Sequence, residues 1–190
     1  MNNSTKTTNR EDLKTPEKSE ASSGVGPIVS SSHLATGEMP ALSEFEFGLI
    51  LASQAFDRWV VRCMGAAGIT GVNALDVLVL HAVNHRERAK TLADICMVLS
   101  IEDTHVTTYA IRKLEKMNLV KSGKSGKEKT VIITESGKEA CEKYRQVRDA
   151  LLVKTAKTLG LSNEAASDLA AELRALSGHY AQAARSAASL

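Results

Sequence analysis

Apolar residues show almost no periodicity before residue 42, and then a long helical rhythm begins. Phe45, Leu49, Ala52, Phe56, Trp59 and Cys63 recur at alternating steps of four and three, with Ile50, Val60 and Met64 widening the stripe. This predicts a helix over 42–66, opened by Ser43-x-x-Glu46 in capping-box form and ended by Gly65 and Gly68. The apolar face is wide enough to be buried against more than one helix. Leu75, Leu78, Val79, Ala82 and Val83 predict a second helix over 72–84, followed by the polar turn NHRERAK. A short third helix follows Thr91, a good N-cap, with Leu92, Ile95, Cys96 and Leu99 inward. After a turn over 100–104, a fourth helix is expected over 103–117. Thr107, Ala110, Ile111 and Leu114 fall on one of its sides; His105, Tyr109, Arg112 and Lys116 fall on the other, and Thr108 lies at the edge. Glu102 and Asp103 suit the positive end of that helix.

The period then changes. Residues 119–122 and 130–134 read as two strands around the loop GKSGKEK. Thr134 caps a long helix over 135–158, with Cys141, Tyr144, Val147, Leu151, Leu152 and Ala156 on its apolar side and Gly160 as its stop. Ser162 opens a last helix to about 188, striped by Leu169, Leu173, Leu176, Tyr180 and Ala184. Residues 1–41 are polar, and their charges nearly cancel. They cannot bury enough surface to offset their ordering entropy, so they read as a disordered tail, either solvated or ordered by a partner. The fold class expected is mainly α with a small β-wing: a winged helix-turn-helix unit over 72–134, flanked by helices over 42–66 and 135–188.

Charge sharpens this picture. The whole chain carries 24 Lys+Arg against 22 Asp+Glu, a net charge of +2. Residues 85–129 alone hold ten basic and six acidic side chains, so the surplus lies on the winged unit. A helix-turn-helix with a wing is suited to placing one helix in the DNA major groove. Cys63, Cys96 and Cys141 are scattered and odd in number, which predicts neither a disulfide framework nor a zinc site. The polar N-terminus lacks the apolar stretch of a secretory signal, and no apolar run approaches the length of a membrane span. A cytoplasmic protein with no membrane association is expected. Nucleotide-binding, metalloprotease and serine-hydrolase motifs are missing from the sequence; no enzyme activity, cofactor or metal is expected.

The strings LEKMNLVKS and VIITESGKE carry a family resemblance. Taken with the order of elements, they resemble the MarR family of bacterial transcriptional regulators over residues 42–188. In that family the recognition helix ends in Leu-Glu-x-x-Gly-Leu-Val and the wing closes with Leu-Thr-x-x-Gly. Leu114, Glu115, Leu119 and Val120, then Ile133, Thr134 and Gly137, stand at the matching positions. Asn118 replaces the usual Gly and tolerates a left-handed conformation better than most residues. The wing lacks the usual Asp-x-Arg; Lys127 sits about where that Arg falls, and lysine has no bidentate fork. The resemblance implies a homodimer built from the first helix and the last two. It further implies a palindromic double-stranded operator and a small aromatic or anionic effector, or an oxidant, that releases it. Repression is the commoner mode in the family, and cell-wall and stress genes are candidate targets.

On this reading His105, Thr108, Tyr109 and Arg112 approach base edges, while Thr91, Thr104 and Lys116 lie nearer the DNA backbone. Lys124, Lys127 and Lys129 contribute salt-dependent affinity from the wing. The plainer alternatives are a solvated helix face and a solubilising hairpin tip. Phe56, Trp59, Cys63 and His81 are candidates for an effector pocket, or else for core and subunit interface. The cysteines are structural by default, with a redox-sensing regulator as the alternative. A winged helix that binds protein rather than DNA is the competing function.

Overall fold

The computed structural model describes residues 26–190. The part of the expected tail that precedes Gly26 lies outside the described residues. Two compact units divide the chain, one ending at Leu51 and the other starting at Ala52. In the first unit, a 3-10 turn at Ser32–Ala35 precedes helix α1 (Pro40–Ala66), which runs on into the second. Pro40 opens α1, where its missing N–H is no loss. The expected cap at Ser43 is therefore wrong, because Ser43 is already inside the helix. Its hydroxyl donates to the Leu34 carbonyl, while the Ile28 amide donates to Glu44 Oε1 at 3.0 Å. Residues 26–41 thus include a turn and a helix start that the expected disordered tail did not contain.

The second unit holds the winged lobe. Helix α2 (Ala74–Asn84) starts two residues later than expected. It is capped by Asn73, whose side chain and that of Asp76 satisfy each other's backbone amides. Thr91 and Asp94 cap α3 (Leu92–Leu99) in the same way. Asp103 caps α4 (Thr104–Lys116) by accepting from the His105 amide at 2.8 Å.

Three antiparallel strands follow the order β1–β3–β2, with β1 at Lys90–Thr91, β2 at Val120–Ser125 and β3 at Glu128–Ile133. Strand β1 was not anticipated: it is two residues long, too short to show a period. The hairpin strands are longer than expected, so the seven-residue loop shrinks to a tight tip at Gly126–Lys127, where Gly126 adopts a positive φ of 62°.

One core joins these pieces. Val60, Cys63 and Met64 of α1 pack with Val77, Leu80 and Val83 of α2, Ile95 of α3, Ile111 and Leu114 of α4, Val131 and Ile133 of β3, and Tyr144 of the next helix. Each large aliphatic side chain enclosed this way contributes on the order of 1.5–3 kcal/mol. The long helix expected over 135–158 is instead α5 (Glu135–Arg148), a π turn at Asp149–Val153 and α6 (Lys154–Thr158). The last helix, α7 (Asn163–Ala187), is capped by Ser162 as expected and has no buried residue.

Candidate nucleic-acid interface

Helix α4 divides cleanly. Thr107, Ala110, Ile111 and Leu114 are buried, while His105, Tyr109, Arg112 and Lys116 are exposed. Tyr109, 69% exposed, is an aromatic ring that only an incoming surface would cover. Thr107 is enclosed and accepts from the Cys96 thiol at 3.4 Å, which ties α3 to α4. Thr108 is half-buried, and its hydroxyl donates to the Thr104 carbonyl at 2.9 Å. Thr104 is exposed at the helix start. Thr91 is half-buried, with its hydroxyl accepting from the Asp94 amide at 3.1 Å; it serves as a cap before anything else.

The wing stands beside this helix. Thr108, Arg112 and Glu115 of α4 line a groove with Ser122 and Lys129 of the hairpin. Lys124 and Lys129 face each other directly across β2 and β3. Opposed like charges weaken a hairpin, and a polyanion between them would relieve that repulsion. Lys127 occupies the tip, and all three lysines are exposed. The ten site candidates therefore fall into an exposed helix face, a groove edge and a cationic ribbon, with Thr91 set back.

The Thr134 hydroxyl ties the turn after α4 to the start of the next helix, beside the backbone bond from the Thr134 amide to the Leu119 carbonyl at 3.1 Å. Thr134 Oγ1 lies 2.7 Å from the Asn118 carbonyl and 2.9 Å from the Leu119 carbonyl, and it accepts from the Gly137 amide at 3.0 Å. Asn118 takes the expected left-handed turn, with φ 58°. Gly137 leaves room for this knot, since a Cβ there would lie 2.1 Å from the Leu119 carbonyl oxygen. These contacts give a physical reason for the residues that carried the family resemblance.

Lys90 and Lys113, two basic residues of the winged lobe, are engaged by partners within it. Lys90 is buried, and its ammonium donates to the carbonyls of Val83 at 3.1 Å, Arg88 at 3.2 Å and His85. Burial pushes its pKa down. Lys113 pairs with the buried carboxylate of Asp76 at 2.6 Å. Sequence reasoning missed both. Asn73-x-x-Asp76 carried a readable cap signal, but a partner 37 residues away left none.

Of the four effector candidates, three converge. Cys63 Sγ donates to the Tyr144 carbonyl at 3.5 Å, the His81 ring meets the Tyr144 ring edge-on at 4.6 Å, and Trp59 acts electrostatically on the Tyr144 side chain. Phe56 is exposed and does not join them. His81 Nε2 has no hydrogen-bond partner among the described residues, and burial pushes the imidazole pKa down. Beside this cluster His81, Asn84, Cys141, Tyr144, Arg145 and Arg148 help to line a cavity of about 500 Å³. Burial pushes the Cys63 thiol up and Cys141 up to about 11, which keeps both in the unreactive protonated form. Among the described residues no cluster suits a metal, and no helix is long and apolar enough to cross a membrane.

Comparison with known proteins agrees with this geometry. Residues 72–137 match a family model described as a winged helix DNA-binding domain. The chain is similar in structure to a MarR family regulator from Neisseria meningitidis, with 17% identity, a TM-score of 0.60, and 75% of this chain and 95% of that one covered. It is similar to a MarR variant from E. coli complexed with operator DNA, at 19% identity and a TM-score of 0.59, covering 74% of this chain and 99% of that one. A third similar structure is a MepR–DNA complex from S. aureus, at 17% identity and a TM-score of 0.56, covering 72% and 96%. No curated protein matches the sequence. Residues 72–137 are thus a winged helix domain, carried within the fold of the MarR family regulators.

Proposed function

We propose that this chain is a homodimeric, sequence-specific transcriptional regulator of the MarR type, acting as a repressor on a palindromic operator. The observation that carries the reading is the two-sided recognition helix beside a lysine-bearing wing. Arg112 is the principal base reader, with His105, Tyr109 and Thr108 as its neighbours. Thr104, Thr91 and Lys116 lie nearer the backbone, and Lys124, Lys127 and Lys129 supply phosphate contacts. The exposed apolar stripe of α7, with Leu169, Leu173 and Tyr180, supports pairing of two chains through their terminal helices. Two similar structures are described as complexes with DNA, one of them with operator DNA, and this supports the same partner here.

The effector reading moves with the geometry. A small aromatic or anionic molecule would enter the cavity beside His81 and Tyr144, whose lining also carries Glu87, Lys138, Arg148 and an Arg145 ion-paired with Glu142 and Asp149; Trp59 and Cys63 would support Tyr144 from behind. Stress and cell-wall genes stay as candidate targets from the resemblance alone.

Footprinting on the promoter of the protein's own gene tests the reading. The expected result is a protected two-fold symmetric segment, lost in Arg112→Ala, with transcription from that promoter falling as protein is added. No retention on heparin, together with no protection of any duplex, would point to the competing protein-binding role.

A further inference from the structure

Asp76 is the least expected charged group in the winged lobe. It lies in the first turn of α2, 2% exposed, and its position has two consequences. One carboxylate oxygen, Oδ2, accepts from the Asn73 amide at 2.8 Å and from the Lys113 ammonium at 2.6 Å. The first bond closes the cap of α2. The second reaches across to the recognition helix.

Lys113 sits on the flank of α4 between the buried stripe and the exposed stripe. It follows Tyr109 by one helical turn and Arg112 by one residue, so it is locked to both by the helix itself. On the opposite flank, Thr108, Arg112 and Glu115 face the wing. The core side of α4 is apolar apart from Thr107, and the 2.6 Å contact with Asp76 adds a directional polar tether on one flank of the helix. A buried carboxylate cannot give up its partner without leaving an uncompensated charge. The pair therefore joins α2 to one flank of α4, alongside the core packing of Ala110, Ile111 and Leu114.

We propose that Asp76 and Lys113 are positioning residues for DNA reading: their ion pair sets the rotation of the recognition helix that aims Tyr109 and Arg112 at base edges. Resting on the DNA-binding function proposed above, this inference assigns the pair a role in specificity rather than in affinity. The wing lysines are exposed and can follow the phosphates through a small roll of α4, whereas a bidentate arginine–guanine contact requires one orientation. Loss of the pair lowers binding to the preferred sequence and leaves binding to mixed DNA nearly alone.

The test uses the full chain and a duplex enriched by the wild-type protein from a random pool. Asp76→Asn keeps the shape and the acceptor for the Asn73 amide but removes the charge that grips Lys113. We expect it to bind the enriched duplex about tenfold more weakly and mixed-sequence DNA within about twofold of wild type. Lys113→Arg keeps a cation on Asp76 and retains the preference; Lys113→Gln loses it as Asp76→Asn does and answers the same question should the latter fold poorly. Thermal unfolding accompanies each variant. A lowered midpoint with an unchanged preference ratio would make the pair a stability element only and overturn the proposal. If the wild type enriches no duplex, the DNA-binding function itself falls, a result distinct from a variant that keeps the wild-type preference.

Discussion

The winged lobe and the terminal helix α7 treat their apolar residues in opposite ways. In α4 every residue on the apolar side is enclosed, and the cap, the wing and α2 all bear on the helix from the same chain. In α7 the stripe is as regular, yet Leu169 is 52% exposed, Leu173 45% and Tyr180 37%, and no residue is buried. In folded proteins most of a helix's stability comes from packing of one apolar face. The lobe buries its apolar faces within a single chain, whereas α7 has no buried residue, as the proposed pairing of two chains requires. On the proposed function, the difference assigns recognition to the lobe of each copy and assembly to the pairing of two.

Four changes break or sharpen that contrast. Leu169→Asp combined with Leu173→Asp should leave the winged lobe folded but reduce the sedimenting mass to one chain. Affinity for a two-half-site duplex should fall by about a hundredfold or more, because the second half-site no longer binds as part of one assembly. Gly137→Ala strikes the other side. Its Cβ would lie 2.6 Å from Ile133 Cδ1 as well as 2.1 Å from the Leu119 carbonyl, so the junction of α4, wing and α5 must shift. A loss of about 3 kcal/mol is expected from denaturant unfolding, with the pairing of chains unaffected.

The third change concerns pH. Burial holds the His81 imidazole below its ordinary pKa of 6.5, so the unfolded chain takes up the proton first as pH falls. The contribution of neutral His81 to stability is whole above about 6.5 and declines as pH drops toward the folded-state value. His81→Phe should flatten the fall in unfolding midpoint below pH 6.5, and an unchanged slope would remove His81 from the account. The smallest effect is that of Lys127→Ala. It should weaken binding to every duplex alike and reduce the salt slope by about one.

Most of the lobe was legible in the sequence because local rules and tertiary packing agree there. The α4 stripe, the Thr91 and Thr134 caps and the left-handed Asn118 follow from residue types at fixed spacings. What escaped reading depends on distant partners. Lys113 looks like any solvated lysine until α2 is folded beside it, and Lys90 counts only as one more charge of the basic surplus until three carbonyls surround it. Ser43-x-x-Glu46 imitates a cap, but the chain already has Pro40 to begin α1. Trp59, Cys63 and His81 were linked by their apolar settings, and the structure shows that Tyr144 is their meeting point. Phe56 shares their stripe yet departs from them, because a stripe does not say which of its residues a neighbour reaches.

The central claim is that two copies of the chain present two recognition helices to one duplex. Selection of binding sites from a random double-stranded pool tests it most directly. The account predicts an inverted repeat whose half-sites lie about one helical turn apart, near 10 base pairs centre to centre. Enrichment of a single unrepeated half-site, or of no sequence at all, would contradict it.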